Sequence, residues 1–86
     1  MDAYPRECRL ALELIERLGR PVDDLLVQQN EVLRIGAVKF ALNYHGENPF
    51  VGQMRVLMLE RPYKLGIGQM LGVLRVMRRE LAAVAV

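Results

Sequence analysis

The chain has 86 residues, of which 52% are apolar and 26% charged, which excludes a disordered polymer and leaves room for one domain around one core. A single cysteine, Cys8, excludes an internal disulfide and a multi-cysteine metal site, and the absence of any serine or threonine excludes those hydroxyls as nucleophiles. Net charge is only +2, but residues 1–43 hold six Lys/Arg against seven Asp/Glu, and residues 44–86 hold six against three.

The first predicted helix covers about residues 5–19. Leu10, Leu14 and Leu18 recur every fourth residue with Ala11 and Ile15 beside them, an inward stripe at helical period. Pro5 suits a first turn. Glu13 with Arg17, and Glu16 with Arg20, stand four apart on an outer charged face. Gly19 can take a left-handed cap, and Pro21 bars continuation.

The second predicted helix covers about residues 22–44, with Asp23 and Asp24 in its first turn where the helix dipole favours them. One stripe reads Val22, Leu25, Leu26, Gln29, Val32, Leu33, Gly36, Ala37, Phe40 and Ala41. A second, on another side, contains Val27, Ile35, Val38 and Leu42. A helix apolar on most sides must be covered on most sides, so this helix is expected at the centre of the domain and also in a dimer seam.

Gly46 is expected to end that helix. Asn48-Pro49 is a start signal, an N-cap followed by proline at the first helical position. The third helix then covers about 49–60, with Phe50, Met54, Leu57 and Met58 inward, and Pro62 bounds it. The fourth covers about 67–83, with Gly66 as N-cap and Gln69 at the capping-box position three residues later. Its inward stripe is Ile67, Met70, Leu71, Leu74, Met77 and Leu81. Gly68 and Gly72 lie four apart and are expected to admit a second helix at close range. The reading is an all-α bundle of four helices in a single domain, residues 1–86.

The run Gly66-x-Gly68-x-x-x-Gly72 is neither a dinucleotide fingerprint nor a P-loop, since the lysine-hydroxyl ending and the preceding strand are both missing. Capping and close packing account for it. His45 lies in a turn, and one histidine with one distant cysteine makes neither a metal site nor a catalytic triad. Asp23 and Asp24 are adjacent and point apart on a helix. No catalytic, cofactor or metal residues are assigned, and an enzyme is not expected. Met54, Met58, Met70 and Met77 fall at helical spacing, which suits core filling and also an adaptable binding surface.

Two function classes remain. The first is a self-associating protein-interaction module, a homodimer meeting through Val27, Ile35, Val38, Leu42, Gly68 and Gly72 and binding a further protein. The second is a helical nucleic-acid-binding protein. Arg75, Arg78 and Arg79 share one face of the last helix, with Arg55, Arg61 and Lys64 in support, and such a face suits phosphates. The start of that helix, Ile67-Gly68-Gln69-Met70, is poor material for reading base edges. The longest uncharged apolar run, Leu65 to Leu74, is too short to span a bilayer. No basic-then-apolar leader follows Met1, so a cytoplasmic protein is expected.

Residues 47–80, ENPFVGQMRVLMLERPYKLGIGQMLGVLRVMRRE, resemble a small helical segment found in short proteins of actinobacterial phages and in some phage nucleic-acid-handling proteins. The shared features are an aromatic just after a helix start (Phe50), a basic connector, and Leu65, Gln69, Val73 and Leu74 leading an apolar helix. Gly66 stands where a serine or threonine is usual. The resemblance implies a small phage accessory protein that acts by binding a host or phage macromolecule, and it carries over no binding residues.

Overall fold

The computed structural model describes residues 4–19, 21–24, 30–61 and 65–84. They form four helices: α1 (Arg6–Leu18), α2 (Glu31–Leu42), α3 (Pro49–Glu60) and α4 (Ile67–Val84), with a 3-10 turn at Val22–Asp24 between α1 and α2. The radius of gyration, 11.8 Å, is close to the ~12 Å expected for a compact chain of this length. Among the described residues no helix is long and apolar enough to cross a membrane.

Local chemistry sets most of the helix ends. Gly19 closes α1 at φ 62°, where a side chain would be strained, and its N–H donates to the carbonyl of Ile15. The Asn48 side chain accepts from the N–H groups of Phe50 and Val51 at 3.0 and 3.3 Å, with Pro49 behind it. Gly66 donates its N–H to Gln69 Oε1 at 2.9 Å, the backward half of a capping box. These ends are as the residue types lead one to expect.

The start of α2 differs from expectation. Pro21, Asp23 and Asp24 carry the marks of a helix start, yet the chain there makes a single 3-10 turn. The helix begins at Glu31, where Asn30 accepts from the N–H of Leu33 at 3.2 Å. Asparagine is a weak interior helix residue and a strong cap, so the span 22–44 contracts to 31–42. Leu25, Leu26 and Val27 lie outside the described residues. The far end also differs: α2 stops at Leu42, and the Asn43 side chain donates to the carbonyl of Lys39 at 2.8 Å. Gly46 is needed for a different reason, because a Cβ there would overlap the ring and hydroxyl of Tyr44.

α2 is the central helix and packs against α1, α3 and α4, while the 3-10 turn packs against α4. Its contact with α1 is close. A methyl placed on Gly36 would overlap the Cβ of Ala11 and lie 3.2 Å from the carbonyl oxygen of Glu7. Cys8 sits in the same seam, fully buried, its thiol 3.7 Å from the carbonyl of Gly36. The α1 stripe is accordingly Cys8, Ala11 and Ile15, and Leu10 and Leu18 turn outward. Leucine is too large for a seam this narrow.

The rest of the core comes from Leu33, Ala37, Phe40 and Ala41 of α2, from Val51, Met54 and Met58 of α3, and from Met70, Val73, Leu74, Val76 and Met77 of α4. Phe50 and Ile67, expected inward, are instead partly exposed. Tyr4 stacks on Phe40, ring centroids 4.8 Å apart, and Phe40 meets Tyr44 at 5.4 Å. Tyr44 joins three helices. Its hydroxyl donates to Glu80 of α4 at 2.9 Å and accepts the N–H of Asn48, the cap of α3, at 2.9 Å. Burial first, and then the Glu80 carboxylate, push the Tyr44 phenol above its ordinary pKa, although the Asn48 N–H opposes the shift.

Candidate interaction surfaces

Two kinds of surface stand out, one apolar and one cationic. The apolar one lies along the outer side of α1 and α2. Leu10, Val32 and Ile35 are each about two-fifths exposed, and with Glu7 they line a shallow groove of about 90 Å³. A second apolar region lies on α3, where Pro49, Gly52, Gln53, Met54, Val56 and Leu57 line an open groove of about 510 Å³. Val56 and Leu59 are exposed there, Leu59 to 62%. The core is filled without Leu10, Val32, Ile35, Val56 or Leu59, whereas Met54 and Leu57 belong to it or pack on it.

The residues expected at a self-association seam separate accordingly. Ile35 is exposed and lies in the α1/α2 groove. Val38 and Leu42 pack on the domain's own core. Gly72 lies under Phe50, whose ring would come within 2.6 Å of an added Cβ, so it admits a side chain of α3 within the same chain. Gly68 faces open space, with nothing within 4 Å of an added Cβ. Val27 is outside the described residues. Leu10 and Val32, each expected on a stripe with core residues, are instead exposed and join Ile35 in place of those that left. Period alone assigned Leu10 inward, and only the narrowness of the Gly36–Ala11 seam shows why it turns out.

The cationic surface lies where α4 meets the 3-10 turn. Arg75, Arg78 and Arg79, with Pro21, Val22 and Ala82, line an open cleft of about 430 Å³. Arg78 Nε lies 3.6 Å from Glu16 Oε1 of α1, both side chains being substantially exposed. The structure thus gathers three of the six expected cations. Arg61, at the end of α3, is exposed outside the cleft, and Arg55, on α3, has its Nε buried without a hydrogen-bond partner. Lys64 is outside the described residues.

Among the described residues no group of three or more His, Cys, Asp or Glu side chains is placed to hold a metal ion. His45 is exposed and Cys8 is sealed in the core. Compared with protein-family models, with curated proteins and with solved structures, the chain matches none.

Proposed function

We propose that this chain is a non-enzymatic interaction module that pairs with a second copy of itself through the outer face of α1 and α2. What carries the reading is the exposed triad Leu10, Val32 and Ile35 around one groove, on a fold whose core is complete without it. Apolar side chains scattered singly on a surface need no explanation, whereas a contiguous set around a concavity marks a contact surface. A cytoplasmic phage accessory protein that binds a host or phage protein is the setting suggested by the resemblance of residues 47–80, and it rests on that resemblance alone.

The test is sedimentation velocity over a wide concentration range. The wild-type chain should move from monomer towards dimer as concentration rises, and Ile35→Glu should remain monomeric with unchanged helicity. A wild-type chain that stays monomeric at the highest concentration would remove the self-association reading.

The second reading is nucleic-acid binding. The convergence of Arg75, Arg78 and Arg79 on one cleft speaks for it. The position of Arg55 and Arg61 outside that cleft speaks against a continuous track of phosphate contacts.

A further inference from the structure

We propose that the cleft between α4 and the 3-10 turn docks an acidic helical segment of another protein, its carboxylates pairing with Arg75, Arg78 and Arg79. The inference rests on the reading of the chain as an interaction module but uses a different face from the α1/α2 groove.

The position of the arginines is the first ground. Cations near a helix C-terminus are commonly explained by the helix dipole, whose influence is confined to the last turn. α4 continues to Val84, and its last turn holds no basic residue. The dipole therefore does not account for the arginine set. Their spacing, i, i+3 and i+4, places them on one helical face with neighbours about 5–6 Å apart. Carboxylates at the same spacing on a facing helix have a matching repeat.

The second ground is the occupant already seated at one edge. Glu16 places a carboxylate against Arg78 at 3.6 Å, with both side chains substantially exposed. Exposed pairs of this kind contribute little, so a partner carboxylate can join or replace Glu16 at small cost. Guanidinium groups bind carboxylates in a planar, two-point geometry that lysine cannot offer.

The third ground is the remainder of the lining. Pro21, Val22 and Ala82 give the cleft an apolar wall, which suits a small apolar side chain set between carboxylates. Single-stranded nucleic acid uses aromatic platforms for its bases, and among the described residues the lining includes no aromatic. Three guanidinium groups beside an apolar wall suit a helix that carries carboxylates and small apolar side chains on one face.

Fluorescence anisotropy with the full chain tests the proposal. The probe is a labelled amphipathic peptide with glutamates at i and i+4 along one face. Its counterpart has glutamine at those positions, and labelled duplex and single-stranded DNA complete the set. The glutamate peptide should bind, and more tightly at low salt. Arg75→Ala with Arg79→Ala, both at exposed positions, should weaken it about tenfold or more, and the glutamine peptide should lose a comparable factor. Glu16→Gln should tighten binding by releasing Arg78. Ile35→Glu should leave peptide binding unchanged, so failure here and failure of self-association are read separately. Equal binding of the glutamate and glutamine peptides, or no effect of the arginine variants, would overturn the proposal. DNA binding tighter than the glutamate peptide would also overturn it and would assign the cleft to nucleic acid.

Discussion

The pair α1/α2 and the pair α3/α4 are packed on different terms. The first is closed by small residues: Cys8 and Ala11 on one helix, Gly36 and Ala37 on the other, with no room for a methyl at Gly36. The second contributes four methionines to the core, Met54, Met58, Met70 and Met77, and has an aromatic ring, Phe50, lying over Gly72. Small residues fix a helix separation because backbone stands against backbone. Methionine has three rotatable bonds and fills irregular gaps, so the separation of α3 and α4 is set by side chains that can readjust. The first pair should respond to added volume, and the second chiefly to removed volume.

The largest effect is expected from removing volume in the second pair. Met77 is fully buried, and Met77→Ala should cost about 2–5 kcal/mol through lost burial and a cavity. Met77→Leu keeps the volume and should cost less than about 1.5 kcal/mol. Denaturant midpoints for the two variants measure the difference. A leucine variant as damaged as the alanine variant would show that this half of the core is not adaptable and would break the contrast.

Adding volume to the first pair comes next. Gly36→Ala overpacks the seam, at about 1–3 kcal/mol, and recovers about 1 kcal/mol of helix propensity. The expected result is a net loss of up to about 2 kcal/mol. Ala11→Gly in the same chain makes room, and the double variant should show a favourable coupling in a thermodynamic cycle. Simple additivity would mean that α1 and α2 slide apart freely, contrary to the contact seen at Gly36.

Tyr44 lies between the two pairs and gives a smaller effect with a pH signature. Tyr44→Phe removes both hydroxyl hydrogen bonds and should cost about 1–2 kcal/mol. Burial raises the phenol pKa in the fold above its unfolded value of about 10. The sign follows from linkage: the fold favours the neutral phenol, so its contribution is full below about pH 10 and is lost as pH rises through the folded pKa. Tyr4 is also raised, by burial first and then by Glu80, and acts in the same direction. Stability of the wild type should therefore fall in alkali, and Tyr44→Phe should fall less steeply. Equal alkaline slopes, measured by urea denaturation across that range, would remove Tyr44 from this role.

The parts of this architecture that sequence made legible are those governed by one or two neighbouring residues. Gly19, Asn48-Pro49 and Gly66 with Gln69 mark helix ends because each cap is satisfied locally. The central place of α2 follows from apolar residues on too many of its sides. The start of α2 is less legible. Asn30 and Asn43 bound α2, but Asp23 and Asp24 offer an earlier start with equally good dipole chemistry; the Asn30 cap and the burial of Val22 in a turn packed on α4 together separate the two. The site was less legible still. Arg75, Arg78 and Arg79 share a face by spacing alone, whereas the wall supplied by Pro21 and Val22 comes from a turn that local signals assigned to a helix. Leu10 shows the same limit: its side is decided by Gly36, 26 positions away in the sequence.

The two glycines of α4 sharpen the contrast at the smallest scale. At Gly68 an added Cβ meets nothing within 4 Å, so Gly68→Ala should stabilise the chain by up to about 1 kcal/mol through helix propensity. At Gly72 the same methyl would stand 2.6 Å from the Phe50 ring. That ring is already 36% exposed, so it can swing outward, losing part of its burial while the helix gains propensity. The two effects are each about 1 kcal/mol or less, and Gly72→Ala should leave thermal stability nearly unchanged. Both variants are measured against Gly36→Ala in one denaturation series. If Gly72→Ala costs as much as Gly36→Ala, Phe50 is held as firmly as Ala11. The separation of α3 and α4 would then be fixed by a glycine contact, as that of α1 and α2 is, rather than by methionines that repack.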